Sequence, residues 1–250
     1  MLRSFDDSRI FGESYGTGPT RVVWLHGWAR DSGDFSTAAR SLAERGIASV
    51  ALDLPGFGAS PTPELAGGAR HYAELILPAL RDLGGGRLVL VGHSLGGRIA
   101  VVVASQHPEL FDGLVVTGAP LVRLRPPARS PLGYRVLRSL ARRHLVSGSR
   151  LEAARQKYGS RDYRNAQGII RDVLVATVRE TYESELSALD VPITFLWGES
   201  DLEAPVEVAT RSAAMVKRST KVQVLEGVGH FVPFEATDVL VDVTEELLRQ

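Results

Sequence analysis

Residues 87–106 read RLVLVGHSLGGRIAVVVASQ and combine the patterns of a strand, a tight turn and a helix. The beginning of this stretch, 87–91, is a short apolar run typical of a buried strand, and its end, 95–106, has helical spacing. Between them, residues 92–96 form the pattern Gly-x-Ser-x-Gly. In such a turn the serine is held in a strained conformation, so that its hydroxyl projects above the strand ends. The stretch predicts a nucleophile at Ser94, against the alternative of an ordinary glycine-rich turn.

Strand and helix alternate over most of the remaining chain. Continuous apolar runs, typical of parallel strands that helices cover on both faces, occur at 21–25, 48–52, 113–117, 193–197 and 221–225. Helical spacing occurs at 35–45, 71–83, 206–217 and 239–248. Residues 9–15 add an antiparallel strand at the start. The alternation predicts an α/β fold with a doubly wound, mostly parallel sheet and right-handed crossovers.

One long segment, 121–189, lacks any strand-like run but has helical patterns at 132–145 and 169–185. We therefore predict an α/β core formed by residues 1–120 and 190–250, with a helical cap, 121–189, inserted between two core strands. The cap is basic, because residues 121–172 contain thirteen Lys and Arg against three acidic residues. Their net charge of +10 leaves −10 for the rest of the chain.

Composition narrows the class of protein. A chain of 250 residues, 44% of them hydrophobic, is long enough for one substantial core. Lys and Arg total 29, as do Asp and Glu, so the overall charge gives no reason to expect a nucleic-acid partner. The absence of cysteine excludes disulfides, thiolate nucleophiles and cysteine-based metal sites. Since there is no apolar leader and no run of eighteen apolar residues, we expect a soluble cytoplasmic protein without a membrane partner.

A serine hydroxyl is a weak nucleophile at neutral pH and needs a base that a third group orients. His230 follows the last predicted strand in a glycine-lined loop, and Asp201 follows the strand at 193–197. An open parallel sheet gathers its active site at such strand ends. We predict His230 as the base and Asp201 as the acid, with Glu199 as the substitute. The alternative for Asp201 is a cap of the helix that leads from Pro205.

The five other histidines have structural explanations. His107 precedes a proline at a helix end, and His71 and His144 lie in helical stretches. His26 and His93 lie near the predicted site, but each belongs to a turn. The position after the final strand therefore favours His230 as the base.

Acyl transfer at Ser94 creates a negatively charged oxygen, which needs preorganised N–H donors. The backbone N–H of Leu95 lies at a helix N-terminus beside the serine and is the first predicted donor. The second should come from the loop after an early strand, and we predict the backbone N–H of Trp28. Its indole either lines the pocket or packs at the rim.

These motifs together resemble the α/β-hydrolase superfamily. Besides the serine turn, the matching pieces are residues 26–28 (HGW), 53–60 (DLPGFGAS) and 197–201 (WGESD). The resemblance implies the α/β-hydrolase fold with a helical cap after strand six, the acid after strand seven at Asp201, the histidine after strand eight at His230, and no cofactor. A serine instead of an aspartate at the turn separates the chain from the haloalkane dehalogenases and epoxide hydrolases.

Residues 26–28 and the basic cap also resemble the pimeloyl acyl-carrier-protein methyl ester esterases, whose cap arginines meet an acidic carrier protein. Arg135, Arg138 and Arg142 share one helix face by their spacing. An acidic acyl-carrier protein is therefore one expected partner, besides a small-molecule ester substrate. The alternative is that these arginines are solvated and pair with the acidic body, since exposed charge is the common case.

We predict a carboxylic ester hydrolase that works through an acyl-enzyme, with Ser94, His230 and Asp201 as the triad and without a metal. Three alternatives stay open. Carbon–carbon bond hydrolysis is the first, although the loop 28–31 lacks the glycines and proline typical of that branch. The others are lyase or acyltransferase chemistry at the same serine, and a ligand receptor that keeps the pocket without turnover.

Overall fold

The computed structural model describes residues 1–83, 86–125 and 161–249, together with positions 137, 139, 140, 143, 147 and 150. Eight strands lie within these residues: β1 (Leu2–Phe5), β2 (Ile10–Tyr15), β3 (Val22–Leu25), β4 (Ser49–Asp53), β5 (Leu88–His93), β6 (Phe111–Thr117), β7 (Ile193–Gly198) and β8 (Thr220–Leu225). They form one sheet in the order β1-β2-β4-β3-β5-β6-β7-β8. β2 pairs antiparallel with β1 and β4, and the other pairs are parallel.

The α-helices whose bounds lie within the described residues are α1 (Ser36–Glu44), α2 (Ala69–Asp82), α3 (Leu95–Gln106), α4 (Arg161–Asn165), α5 (Gly168–Thr177), α6 (Glu183–Ala188), α7 (Val206–Ala213), α8 (Val232–Glu235) and α9 (Thr237–Leu248). Helices α1 and α9 pack on one face of the sheet, and α2, α3 and α6 pack on the other. This arrangement is a doubly wound α/β architecture.

The continuous apolar runs of the central strands supply buried side chains to both faces of the sheet. In β3, Val22 and Trp24 face α1 and α9, whereas Val23 and Leu25 face α2 and α3. All four side chains are completely buried. Because successive residues of a strand point to opposite faces, one apolar run contributes to two core layers.

The prediction of an α/β fold with a mostly parallel sheet is confirmed, and the differences concern single elements. Strand β1 was not predicted, because only Phe5 among its residues is buried and no apolar run marks it. The helix predicted at 206–217 ends at Ala213. The helix predicted at 169–185 is divided into α5 and α6, since Tyr182 is buried between them and its N–H donates to the Leu121 carbonyl at 3.0 Å.

The described parts of 121–189 contain α4, α5 and α6 and no strand. The helix predicted at 132–145 lies outside the described residues, as do Arg135, Arg138 and Arg142. The division into a core and a cap therefore stays a prediction. No helix within the described ranges is long and apolar enough to cross a membrane, and the cytoplasmic location stays a prediction as well.

Candidate active site

Ser94 lies between β5 and α3 in a conformation that is rare for a residue other than glycine, with φ of 51° and ψ of −106°. Its N–H donates to the Thr117 carbonyl at 2.8 Å, and the Gly96 N–H donates to the His26 carbonyl at 3.0 Å. A Cβ atom on Gly92 or Gly96 would overlap backbone atoms nearby. Packing and hydrogen bonds thus hold the turn against a backbone strain of about 1–3 kcal/mol.

Asp201 and His230 meet beyond the ends of β7 and β8. Oδ2 of Asp201 lies 2.8 Å from Nδ1 of His230, and the two side chains are 1% and 8% exposed. Oδ1 of Asp201 accepts the N–H groups of Glu203 at 2.9 Å and Ala204 at 2.8 Å, so the carboxylate also closes the turn before α7. Because an ionised carboxylate only accepts hydrogen bonds, Nδ1 of His230 carries a proton, and Nε2 is the basic nitrogen of the neutral ring.

The two other carboxylates of the loop after β7 do not contact Nδ1 of His230. Oε2 of Glu199, the predicted substitute, accepts the N–H of Gly227 at 3.3 Å on the exposed side of the loop. Glu203 lies on the other side of the base, with Oε2 3.4 Å from Nε2 of His230 and a side chain that is 67% exposed. Its position beside the base was not predicted, because the spacing along the loop does not reveal how the loop curves.

His230 comes close to the segment that carries the serine. The ring of His93, the residue before Ser94, lies 4.8 Å from the His230 ring, centroid to centroid. Gly118 follows β6 between them with φ of 55°, and a Cβ there would lie 2.9 Å from Cε1 of His230. No hydrogen bond joins the Ser94 hydroxyl to His230 within the described residues. Such bonds often form only when substrate binds.

His26 shapes the loop that carries Trp28. Its Nε2 accepts the N–H of Leu54 at 2.9 Å. Nδ1 therefore carries the proton and donates to the Gly27 carbonyl at 2.7 Å. Burial lowers the pKa of His26 and keeps the ring neutral. The Trp28 ring packs edge-on against Phe57, with centroids 5.2 Å apart, so the loop is held on both sides of the Trp28 N–H.

The two predicted oxyanion donors lie at the same end of the sheet. Leu95 is the first residue of α3, and the opening N–H groups of a helix have no partner within it. Trp28 follows β3, which neighbours β5 in the sheet. The convergence of both N–H groups above the Ser94 hydroxyl stays a prediction.

His93 is completely buried and takes a structural position, as its place in the turn predicts. Its Nδ1 lies 2.9 Å from Oγ1 of Thr117, and Nε2 has no hydrogen-bond partner in the described structure. Burial and the neighbouring His230 lower the pKa of His93 to about 3. The His93 ring is therefore neutral at ordinary pH.

The described residues contain no group of three or more His, Cys, Asp or Glu side chains that could hold a metal ion.

Comparisons with known proteins identify the family and support the fold. A profile of the alpha/beta hydrolase family matches residues 22–243. The 2-(acetamidomethylene)succinate hydrolase of Mesorhizobium japonicum is 36% identical over 100 residues, which cover 40% of this chain and 35% of that protein. The 2-hydroxy-6-oxononadienedioate/2-hydroxy-6-oxononatrienedioate hydrolase of Burkholderia vietnamiensis is 26% identical over 277 residues, covering 97% and 91%. A solved serine hydrolase involved in carbazole degradation shares the fold, with a TM-score of 0.73 and 19% identity over 100% of this chain and 98% of that one.

Proposed function

The chain belongs to the alpha/beta hydrolase family, and we propose that it is a hydrolase that cleaves a carboxylic ester through an acyl-enzyme on Ser94. The contacts around His230 carry the proposal. The buried Asp201 carboxylate holds Nδ1 at 2.8 Å, and the ring lies against the residue that precedes the strained serine. This arrangement leaves Nε2 of His230 as a base at the end of the sheet where Ser94 projects.

In the first half-reaction, Nε2 of His230 takes the Ser94 hydroxyl proton while Oγ attacks the ester carbonyl. Asp201 stabilises the imidazolium, and the N–H groups of Leu95 and Trp28 hold the oxyanion. His230 then gives the proton to the departing alcohol, and the acyl group stays on Ser94. Water attacks the acyl-enzyme in the second half-reaction with His230 again as base, which releases the acid and restores the serine.

Carbon–carbon bond hydrolysis is the second candidate. It is favoured by the similarity, over 97% of this chain, to a hydrolase that is named for 2-hydroxy-6-oxo dienedioates. The same serine and histidine would serve either reaction, so the fold does not discriminate between them. Both relatives described above are named for carboxylates, one a succinate and the other a dioate.

The test is hydrolysis of p-nitrophenyl esters from acetate to decanoate by the wild type, Ser94→Ala and Asp201→Asn. We expect turnover by the wild type, with a chain-length optimum that measures the pocket. Ser94→Ala should lower kcat by at least about 10⁴-fold, and Asp201→Asn by about 10⁴-fold, because the wrong imidazole tautomer is then favoured. Glu199→Gln is the matched control on the same loop, and its kcat should stay within about threefold.

Two outcomes would contradict the proposal. Full activity of Ser94→Ala would mean that the nucleophile is another group. A wild type that turns over no ester of the series would leave carbon–carbon hydrolysis, acyl transfer and ligand reception as the remaining functions. A dienedioate substrate and a screen for bound ligands would then decide among them.

A further inference from the structure

Arg98 lies one helical turn beyond Ser94 on α3. Its backbone N–H donates to the Ser94 carbonyl at 3.2 Å, which is the i to i+4 hydrogen bond of an α-helix. The Cα–Cβ bond of a helical residue tilts toward the helix N-terminus. The side chain of Arg98 therefore starts out toward the end of α3 at which the nucleophile lies.

The guanidinium of Arg98 has unused hydrogen-bonding capacity. Its Nε is shut off from solvent and has no partner within the described residues, and Nη1 reaches the Thr177 carbonyl only at 3.4 Å. Burial lowers the pKa of Arg98, but an arginine stays charged at neutral pH. A partly buried cation whose Nε lacks a hydrogen-bond partner is costly to maintain. A bound anion from outside the chain would supply the hydrogen-bond partner that this guanidinium lacks.

The carboxylate of Glu180 attracts Arg98 electrostatically, but its oxygens contact other groups. Oε2 of Glu180 accepts the N–H of Ala69 at 2.8 Å and the hydroxyl of Tyr182 at 2.9 Å. Its other oxygen lies 3.9 Å from Arg70. Among the described residues, no carboxylate forms an ion pair with Arg98 within 4.0 Å.

A cavity of about 250 Å³ lies beside Arg98. Its lining includes Arg98, Arg123, Glu180, Glu203, Pro120 and Val208. One of these lining residues, Glu203, also contacts the proposed catalytic base, since its Oε2 is 3.4 Å from Nε2 of His230. The volume of the cavity is just below the range of typical small-molecule sites, which are about 300–1,000 Å³.

We propose that Arg98 binds a carboxylate of the substrate, so that the enzyme acts on esters of short compounds that carry a second, free carboxylate, such as monoesters of dicarboxylic acids. The inference rests on the proposed ester hydrolysis at Ser94. A guanidinium presents planar donors that match a carboxylate, and a charge-assisted bond is strong where water is excluded. Arg123 adds a second positive charge to the cavity, although its Nη2 also donates to the Val178 carbonyl at 3.2 Å.

The substrate is then held at two points, by its ester carbonyl at Ser94 and by its carboxylate at Arg98. The experiment compares two methyl esters of similar size in a pH-stat, the anionic monomethyl glutarate and the neutral methyl pentanoate. The wild type should prefer the anionic ester by at least about tenfold in kcat/KM, mainly through KM. Arg98→Met should reduce this preference by about 10- to 100-fold, the loss expected for a hydrogen bond to a charged group.

Matched variants separate a local effect from a general one. Arg98→Lys keeps the charge but not the planar donors, and should retain part of the preference. Arg211→Met removes an exposed arginine on α7 that pairs with Glu207, and should leave the preference unchanged. Calorimetric binding of free glutarate to the wild type and to Arg98→Met gives a readout that does not depend on turnover.

The outcomes distinguish this inference from the proposal on which it rests. If the wild type hydrolyses methyl pentanoate but neither prefers monomethyl glutarate nor binds glutarate, the role of Arg98 is wrong and ester hydrolysis stands. If neither ester reacts but glutarate binds the wild type and not Arg98→Met, ester hydrolysis is wrong and the carboxylate site stands. If thermal unfolding shows that Arg98→Met does not fold, the wild-type preference and the Arg98→Lys variant decide.

Discussion

Glycine residues determine the conformation of the serine turn. A Cβ on Gly96 would overlap the carbonyl oxygen of Leu25 in β3, which is backbone and cannot move aside. We expect Gly96→Ala to lower the free energy of unfolding by about 3 kcal/mol or more. This corresponds to a decrease in Tm of about 6–12 °C. Gln106→Ala, at the exposed end of the same helix, is the control and should shift Tm by less than about 2 °C.

An unchanged Tm in Gly96→Ala would mean that the turn has room for a side chain, contrary to the packing around Leu25. The strained serine needs this packing, because a positive φ costs free energy that only surrounding contacts offset. Stability at Gly96 and reactivity at Ser94 are therefore coupled properties of one turn.

Burial of His93 makes stability depend on pH. The pKa of His93 is about 3 in the folded protein, against 6.5 for an unperturbed histidine. Below pH 6.5 the unfolded chain therefore binds a proton that the folded chain does not bind. The contribution of this residue to stability is complete above pH 6.5 and is lost progressively as the pH falls toward 3. The buried His26, whose pKa is also lowered, acts in the same direction.

We expect His93→Gln to flatten the decrease in the free energy of unfolding between pH 6 and pH 4.5 by up to about 1.4 kcal/mol per pH unit. Urea unfolding at several pH values measures the slope. His71→Gln removes a histidine on α2 that lies beside Glu74 and is partly exposed, and the wild-type slope should persist. Equal slopes in His93→Gln and the wild type would show that His93 takes up a proton in the folded state.

At the scale of elements, α2 and α6 are joined by a charged contact. Nε of Arg70 lies 2.5 Å from Oε1 of Glu185, and Nη2 donates to the Thr181 carbonyl at 2.7 Å. The guanidinium also stacks over the Tyr182 ring at 5.3 Å. Arg70 belongs to α2 of the core, and Glu185 is buried in α6. These contacts therefore hold α6 against α2.

Glu185→Gln should lower the free energy of unfolding by about 1–2 kcal/mol, a modest value because the Arg70 side chain is partly exposed. Glu183→Gln, two residues earlier in α6, is the control and should change it by less than about 0.5 kcal/mol. Chemical denaturation measures both. A larger loss in Glu183→Gln than in Glu185→Gln would contradict the role of this ion pair.

At the scale of the whole molecule, the charge is unevenly distributed along a chain that is neutral overall. We expect the basic segment 121–172 to bind an acidic acyl-carrier protein at low salt, and binding to weaken steeply as salt rises. Biolayer interferometry at 20 and at about 300 mM salt measures this. Replacing Arg135, Arg138 and Arg142 by Gln should abolish binding. No binding by the wild type at low salt would contradict the prediction and leave these arginines as solvated charges.

Most of the sheet could be predicted because a buried strand has a continuous apolar run in the sequence. The apolar runs at 21–25, 87–91 and 193–197 correspond to β3, β5 and β7 within one or two residues at each end. Strand β1 could not be predicted, since an edge strand with one buried side chain has no such run. The break between α5 and α6 escaped prediction as well, because it depends on the contact of Tyr182 with the distant Leu121.

The sequence alone determined the fold class and the order of candidate groups, Ser94, Asp201 and His230, each after a strand end, because strand runs and turn glycines are local signals. The folded structure was needed to show that Asp201, and not Glu199, contacts Nδ1 of His230. The two residues are only two positions apart, and their spacing does not reveal the path of the loop. The same holds for Arg98. Segments far apart in the chain surround its side chain and shield Nε from solvent, and such long-range packing cannot be predicted from the local sequence pattern.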